Sequence, residues 1–170
     1  MIRLLAAAAL CWPGASAQAK PPAQQEPWST EVFSESELRS SRELMALLKR
    51  IERGELPRVE FELDSDVVHP ESFQTLDAIA HFLLKNQSVK IRISAHTCDL
   101  GSDAHNQELS ERRAKAVADY FIRRGVPPPF IRWRGWGSSH PIADNSTEAG
   151  RRRNRRVEFH LLHNEWESVY

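Results

Sequence analysis

The sequence predicts an α/β protein built as a two-layer sandwich, in which helices cover one face of a sheet. From residue 58 onward, segments in which apolar side chains alternate with polar ones take turns with segments of helical periodicity. Of the 170 residues, 41% are hydrophobic and 27% are charged, which is typical of a folded domain rather than of a disordered chain. This length allows one domain with short extensions and excludes a multidomain enzyme.

Residues 1–19 have the layout of a secretory signal peptide. Arg3 precedes an apolar stretch from Leu4 to Trp12, and Ala15-Ser16-Ala17 matches a cleavage site of the A-x-A type. The apolar stretch is shorter than the ~20 residues that span a membrane. We therefore expect a secreted chain with no transmembrane segment in its mature form.

The next two segments precede the main domain. Residues 20–33 are rich in Pro, Gln and Ala without periodicity, and we expect a flexible leader. Residues 34–54 begin with a sequence that resembles a capping box and carry leucines at helical spacing until Gly54. They predict an amphipathic helix outside the main domain, packed on that domain or on a partner.

The main domain is expected at residues 58–162, followed by a tail at 163–170. Its first helix follows Pro70 and ends near Asn86, and its second runs from about Asn106 to Arg124. Four strands are predicted from apolar alternation. Their apolar members are Val59, Phe61 and Leu63; Val89, Ile91 and Ile93; Ile131 and Trp133; and Val157, Phe159 and Leu161.

The second helix contains an arginine on its apolar side. When its residues are placed at 100° steps, Arg113 falls in the middle of the apolar arc. An isolated buried charge is costly, so this arginine must be paired or must face a ligand. Its guanidinium offers a planar fork suited to a carboxylate. Two interpretations stay open, an internal ion pair with a carboxylate such as Asp64 and the binding of an anionic ligand.

The loop from His96 to Asp103 joins the second strand to this helix, where backbone amides can receive an anion. Two other kinds of site are open here. His96, Cys98 and His105 are potential metal ligands, although their spacing matches no strong metal signature. A cysteine hydrolase would use Cys98 with one of these histidines as base. Because Cys11 is removed with the signal peptide, Cys98 has no internal disulfide partner and is a buried side chain or an available thiol.

Charge is distributed unevenly although the formal net charge is zero. Residues 18–109 carry 10 basic and 16 acidic residues, whereas residues 110–160 carry 12 basic and 5 acidic ones. The basic half can meet an anionic partner such as nucleic acid, an anionic polymer or a carboxylate ligand. Nucleic acid is not expected as a partner, because a secreted chain rarely meets it.

The string from His96 to Val117, with its Asn106-x-x-Leu109-Ser110-x-x-Arg113-Ala114 pattern, resembles the OmpA-like C-terminal domain family. Residues 135–137, 141–145 and 154–157 continue the resemblance, which covers residues 58–162. It implies a mixed four-stranded sheet with helices on one face. It also implies a protein without catalytic residues or cofactors that binds peptidoglycan noncovalently in the periplasm, with outer-membrane association as an option.

The resemblance also implies a ligand site, position by position. Arg113 matches the arginine that holds diaminopimelate of the stem peptide, and Thr97 matches the threonine beside the family's aspartate. Cys98 stands in place of that aspartate, so the usual partner of the ligand's ammonium is missing, and Asp99 could take this role only after a loop shift. Two further positions match residues that line the same groove. The predicted ligand-binding set is Arg113, Asn106, Thr97, Asp99, Cys98 and Arg155.

Two functions follow from these observations. The leading hypothesis is an envelope protein that recognises the diaminopimelate of peptidoglycan stem peptides and anchors or organises the cell envelope. The alternative is a fold that has lost this ligand and acts as a protein-interaction module, using the 34–54 helix and Cys98. The expected partners are peptidoglycan and an outer-membrane or periplasmic protein complex, and no metal site is expected.

Overall fold

The computed structural model describes residues 35–87 and 89–162. The predicted signal peptide, the leader and the tail lie outside these residues. The described elements, in chain order, are α1 (Glu35–Glu52), α2 (Phe73–Lys85), β1 (Lys90–His96), α3 (Asp103–Arg123), β2 (Ile131–Gly135), α4 (Glu148–Asn154) and β3 (Arg156–Leu162). Short 3-10 turns at Pro70–Ser72 and Pro128–Phe130 precede α2 and β2.

Local sequence signals explain where the longest helix begins and ends. The Ser102 side chain accepts a hydrogen bond from the backbone N–H of His105, which caps the first turn of α3. Gly125 follows its last turn with a φ of 98°, a left-handed conformation that glycine adopts without a Cβ penalty. None of the helices in the described part of the chain is both long and apolar enough to cross a bilayer.

The sheet is mixed, with β1 in the centre. β1 pairs in parallel with β2 and antiparallel with β3, in the order β2-β1-β3. In this register Ile93 lies opposite Phe159 on β3, and Ile91 lies opposite Ile131 on β2, so apolar side chains share one face. Side chains of α2 and α3 pack on this face and form the core with them. The predicted α/β class, with helices on one face, is therefore observed.

The predicted four-stranded sheet is not observed, because the described residues form three strands. Residues 58–63 make an isolated bridge between Phe61 and Val68 instead of a strand. Leu63, expected on the buried face, is 97% exposed, and the backbone turns at Asp64 with a φ of 52°. Nearby groups satisfy the backbone of this segment, because the Ser72 hydroxyl accepts from the Glu60 N–H. The apolar alternation predicted the burial of Val59 but not how the backbone would pair.

The helix α1 packs on the domain. Leu44 is buried in the same core cluster as the apolar residues of α2. The Lys85 ammonium lies 2.9 Å from a carboxylate oxygen of Glu43, and the Ser40 hydroxyl donates to the Asn86 side chain over 3.0 Å. The core therefore includes a helix that lies before the region of family resemblance.

Candidate functional site

A cavity of about 230 Å³ opens where β1 ends and β3 begins. Three of its lining residues come from the segment before α2, and α3 contributes one arginine. The residues at the end of α4 and the start of β3 supply the remaining cations. The cavity is lined by Val59, Glu60, Phe61, His96, Arg113, Arg152, Arg155 and Arg156.

Arg113 projects from the buried side of α3 and is 7% exposed. Its Nε donates to the Ser65 carbonyl oxygen over 2.8 Å and its Nη2 to the Glu62 carbonyl oxygen over 3.3 Å. The guanidinium carbon lies 5.0 Å from the centre of the Phe61 ring, within reach of a cation–π interaction. Backbone and ring contacts therefore fix the orientation of a guanidinium that lines the cavity.

The internal ion pair considered for Arg113 is replaced by these backbone contacts. The Asp64 carboxylate instead lies 2.7 Å from His105 Nε2, at the surface. Burial lowers the pKa of Arg113 below its usual value, and the nearby negative charge of Asp64 acts in the opposite direction. Because an arginine pKa is so high, this side chain stays charged, and a ligand carboxylate would favour that charge.

Cys98 contacts Arg155 and lies outside the cavity lining. The thiol is 6% exposed, and Arg155 Nη1 lies 3.7 Å from its Sγ. The other terminal nitrogen of Arg155 donates to Glu148 over 2.6 Å, and this hydrogen bond raises the pKa of Arg155. Of the two states considered for this cysteine, the structure has the buried one.

His96 and Thr97 are buried polar residues beside the cavity whose side chains lack hydrogen-bond partners. Within the described residues, neither the ring nitrogens of His96 nor the hydroxyl of Thr97 have such a partner. Burial lowers the pKa of His96 to about 4, and the positive charge of Arg156 adds to this effect. At neutral pH the imidazole is therefore uncharged and faces the cavity with an unused hydrogen-bonding capacity.

The remaining predicted ligand residues lie outside the cavity lining. Asn106 is buried, and its Nδ2 donates to the Leu100 carbonyl oxygen over 3.0 Å, so it holds the loop that precedes α3. Asp99 is exposed to solvent. Of the predicted ligand residues, the structure therefore places Arg113 and Arg155 in the cavity lining. Cys98 contacts Arg155, Thr97 is buried outside the lining, and Asn106 has a supporting position.

The helix α4 places Arg155, and a network around Asn154 holds its end. The Thr147 hydroxyl accepts from the Gly150 N–H over 3.0 Å and caps the helix. The Asn154 side chain is fully buried and bonds the backbone of the preceding loop at Ile142 and Ala143. Six lining residues were absent from the predicted set: Val59, Glu60, Phe61, His96, Arg152 and Arg156. The run of arginines at 151–156 was the sequence signal for two of them.

The histidines and the cysteine considered as metal ligands do not form a metal site. Across residues 35–87 and 89–162, no group of three His, Cys, Asp or Glu side chains is arranged to hold a metal ion. His105 is partly exposed and contacts Asp64, whereas Cys98 contacts Arg155. The site thus presents four arginines, one carboxylate that is paired with Arg152, and a neutral imidazole, an arrangement suited to binding a carboxylate.

Comparisons with known proteins show the family of the domain. A family model described as the OmpA family matches residues 60–155. The outer-membrane lipoprotein YfiB of Pseudomonas aeruginosa is 45% identical over 106 residues, covering 62% of this chain and 63% of that protein. Outer membrane porin F of Pseudomonas fluorescens is 43% identical over 100 residues, covering 59% of this chain and 31% of that protein.

A solved structure supports the fold in the same way. The peptidoglycan-associated lipoprotein of Burkholderia pseudomallei superposes with a TM-score of 0.58 at 27% identity, over 62% of this chain and 90% of that one. This chain spans less than two thirds of the length of the two curated relatives.

Proposed function

The chain belongs to the OmpA family, and from this membership we propose that it binds peptidoglycan noncovalently through the cavity around Arg113. The ligand group is the carboxylate of diaminopimelate in the stem peptide. One solved relative is named a peptidoglycan-associated lipoprotein, and YfiB is named an outer-membrane lipoprotein. The proposed location is the periplasm, in association with the outer membrane, where the protein anchors or organises the envelope.

One observation carries the proposal, the buried guanidinium of Arg113 in the cavity wall. Two of its nitrogen atoms are held by the carbonyl oxygens of Ser65 and Glu62, so it is oriented before any ligand arrives. A side chain that is already ordered loses little conformational entropy on binding, which favours affinity. Arg155 lines the same cavity and adds a second cation for the same carboxylate.

The other residues of the predicted set have supporting roles in this proposal. Asn106 holds the loop over the start of α3 through its bond to Leu100. The Thr97 hydroxyl has no hydrogen-bond partner among the described residues, but it is buried outside the cavity lining, so we assign it no direct contact with the ligand. Asp99 is exposed and does not line the cavity, so we assign it no contact with the carboxylate.

Sedimentation with purified sacculi tests the proposal. The wild-type chain is expected to pellet with the sacculi, and Arg113→Ala is expected to bind at least about tenfold more weakly, because a charged hydrogen bond is worth ~1.5 to 3 kcal/mol. Arg113→Lys keeps the charge without the planar fork and serves as the variant least disturbing to the fold. Arg123→Ala is the matched control, because Arg123 is an exposed arginine on the same helix.

The proposal is overturned if wild type and Arg113→Ala bind sacculi equally. A loss that is equally large in Arg123→Ala would also count against it, because it would indicate general charge attraction rather than a site. Circular dichroism of each variant establishes that the fold is retained.

A further inference from the structure

We propose that the cavity selects a carboxylate with no free ammonium beside it. In peptidoglycan this describes the diaminopimelate whose amine has been acylated in a peptide cross-link, since its carboxylate stays ionised while the nitrogen becomes a neutral amide. The inference rests on the proposed function, because it takes the stem peptide as the ligand, and it adds which form of the stem peptide is bound.

The cavity wall carries more basic than acidic side chains. Four of the eight lining residues are arginines, and Glu60 is the acidic one among them. Its carboxylate is contacted by Arg152 over 3.3 Å. Two acids that border the site are also paired, Glu148 with Arg155 at 2.6 Å and Glu158 with Arg156 at 2.7 Å.

These pairs leave an excess of positive charge. The carboxylate of Asp64, whose charge reaches Arg113, contacts His105 and does not line the cavity. Asp66 acts on Arg113 in the same way as Asp64 and also lies outside the cavity lining. Among the described residues, Arg113 is therefore the lining arginine that no carboxylate contacts. A ligand carboxylate is stabilised by this guanidinium, whereas a ligand ammonium is repelled by it.

Cys98 adds no carboxylate to this region. Its Sγ lies 3.7 Å from Nη1 of Arg155, so a ligand ammonium next to Cys98 would also lie next to a guanidinium. An amide nitrogen carries no net charge and does not suffer this repulsion.

His96 has unused hydrogen-bonding capacity, because the Glu158 carboxylate lies 3.8 Å from its Nε2, beyond hydrogen-bond distance. This residue is 5% exposed, it lines the cavity, and neither of its ring nitrogens has a hydrogen-bond partner in the described part of the chain. A neutral imidazole donates through one nitrogen and accepts through the other. An acylated amine offers an N–H donor and a carbonyl acceptor, so the amide of a cross-link can satisfy a group that is costly to leave unpaired.

The test uses two soluble peptides that differ at one nitrogen. Both contain L-alanine, γ-linked D-glutamate and diaminopimelate and are capped at the alanine amine, and one is also acetylated on the terminal amine of diaminopimelate. Isothermal titration calorimetry of the wild-type chain is expected to show about tenfold tighter binding of the acetylated peptide, a factor that corresponds to a single charged hydrogen bond.

Two variants of Cys98 separate charge from size. Cys98→Ser keeps a small neutral side chain and is expected to keep the preference. Cys98→Asp supplies a carboxylate at the same position and is expected to shift the preference toward the free amine by a similar factor. If Cys98→Asp does not fold, the comparison of the two peptides on the wild-type chain still tests the preference for the acylated amine.

Equal or tighter binding of the free-amine peptide by the wild-type chain overturns the inference. If sacculi are bound while the two peptides bind equally, the proposed function stands and only the selectivity is wrong. If neither sacculi nor either peptide is bound, the proposed function fails and this inference fails with it.

Discussion

Asn154→Ala is expected to remove a large part of the stability of the domain. The side chain is 0% exposed and fully hydrogen-bonded. Its Oδ1 accepts from the backbone N–H of Ile142 over 2.8 Å and of Ala143 over 2.9 Å. Its Nδ2 donates to the Ala143 carbonyl over 2.9 Å and to the Asn145 side chain over 2.7 Å. Alanine retains none of these bonds.

The expected loss follows from how many groups are left without a partner. A hydrogen bond contributes ~1 kcal/mol net, and a buried polar group left unpaired costs ~1 to 3 kcal/mol. Ile142 is partly exposed, so water can reach some of the freed groups. We therefore expect the free energy of unfolding to fall by about 3 kcal/mol, which is the low end of the summed costs of the polar groups left without a partner.

Urea unfolding followed by circular dichroism measures this change. The midpoint is expected to fall while the slope stays constant, because the folded state buries the same surface. Asn145→Ala is the matched control, since it removes only the bond between the two asparagine side chains and should cost about 1 kcal/mol. The reasoning is refuted if Asn154→Ala costs less than about 1 kcal/mol, or no more than Asn145→Ala.

Two further predictions concern pH and a close backbone contact. Because the folded-state pKa of His96 is about 4, below its ordinary 6.5, the unfolded chain binds a proton between these values that the folded chain does not. The free energy of unfolding should thus fall by up to about 3 kcal/mol as the pH drops from 6.5 to 4. In His96→Gln the urea midpoint should fall less steeply over this pH range. Equal dependence of the midpoint on pH in the two proteins would contradict this prediction. Gly135→Ala places a Cβ 2.7 Å from the Cα of Glu111, so α3 must move away from β2, and we expect a loss of about 3 kcal/mol in thermal unfolding. Gly54→Ala is the comparison: no atom lies within 4 Å, but the φ of 74° is left-handed, so it should cost only about 1 kcal/mol of backbone strain. A loss for Gly135→Ala no larger than that of Gly54→Ala would count against the prediction.

Much of the fold could be predicted from apolar periodicity, because periodicity reports which side chains share a buried face. The core positions Ile91, Ile93 and Phe159 follow from it. It does not report which backbone groups pair. At residues 58–63 the alternation matches a strand, but the turn at Asp64 and the hydroxyl of Ser72 take over the backbone contacts.

Only part of the site could likewise be predicted from the sequence. Arg113 stood out because a charge on an apolar arc needs a partner or a ligand, and the structure holds it at the cavity by backbone carbonyl oxygens. The positions of Asn106 and Asp99 depended on how one loop turns, which the sequence pattern does not encode. Arg152 and Arg156 reach the cavity because the Asn154 network fixes α4 against the loop that precedes it, and such a tertiary contact has no local signal.

The docking of α1 bears on how this domain could be exchanged between proteins. The region that matches the family model starts at residue 60, yet Leu44 fills part of the same core. A recombination event that carried only residues 60–155 into a new host protein would leave the α1-facing surface of α2 uncovered in water. The folded unit of this chain is therefore larger than the region that matches the family model, and a fusion protein made for envelope display should include α1.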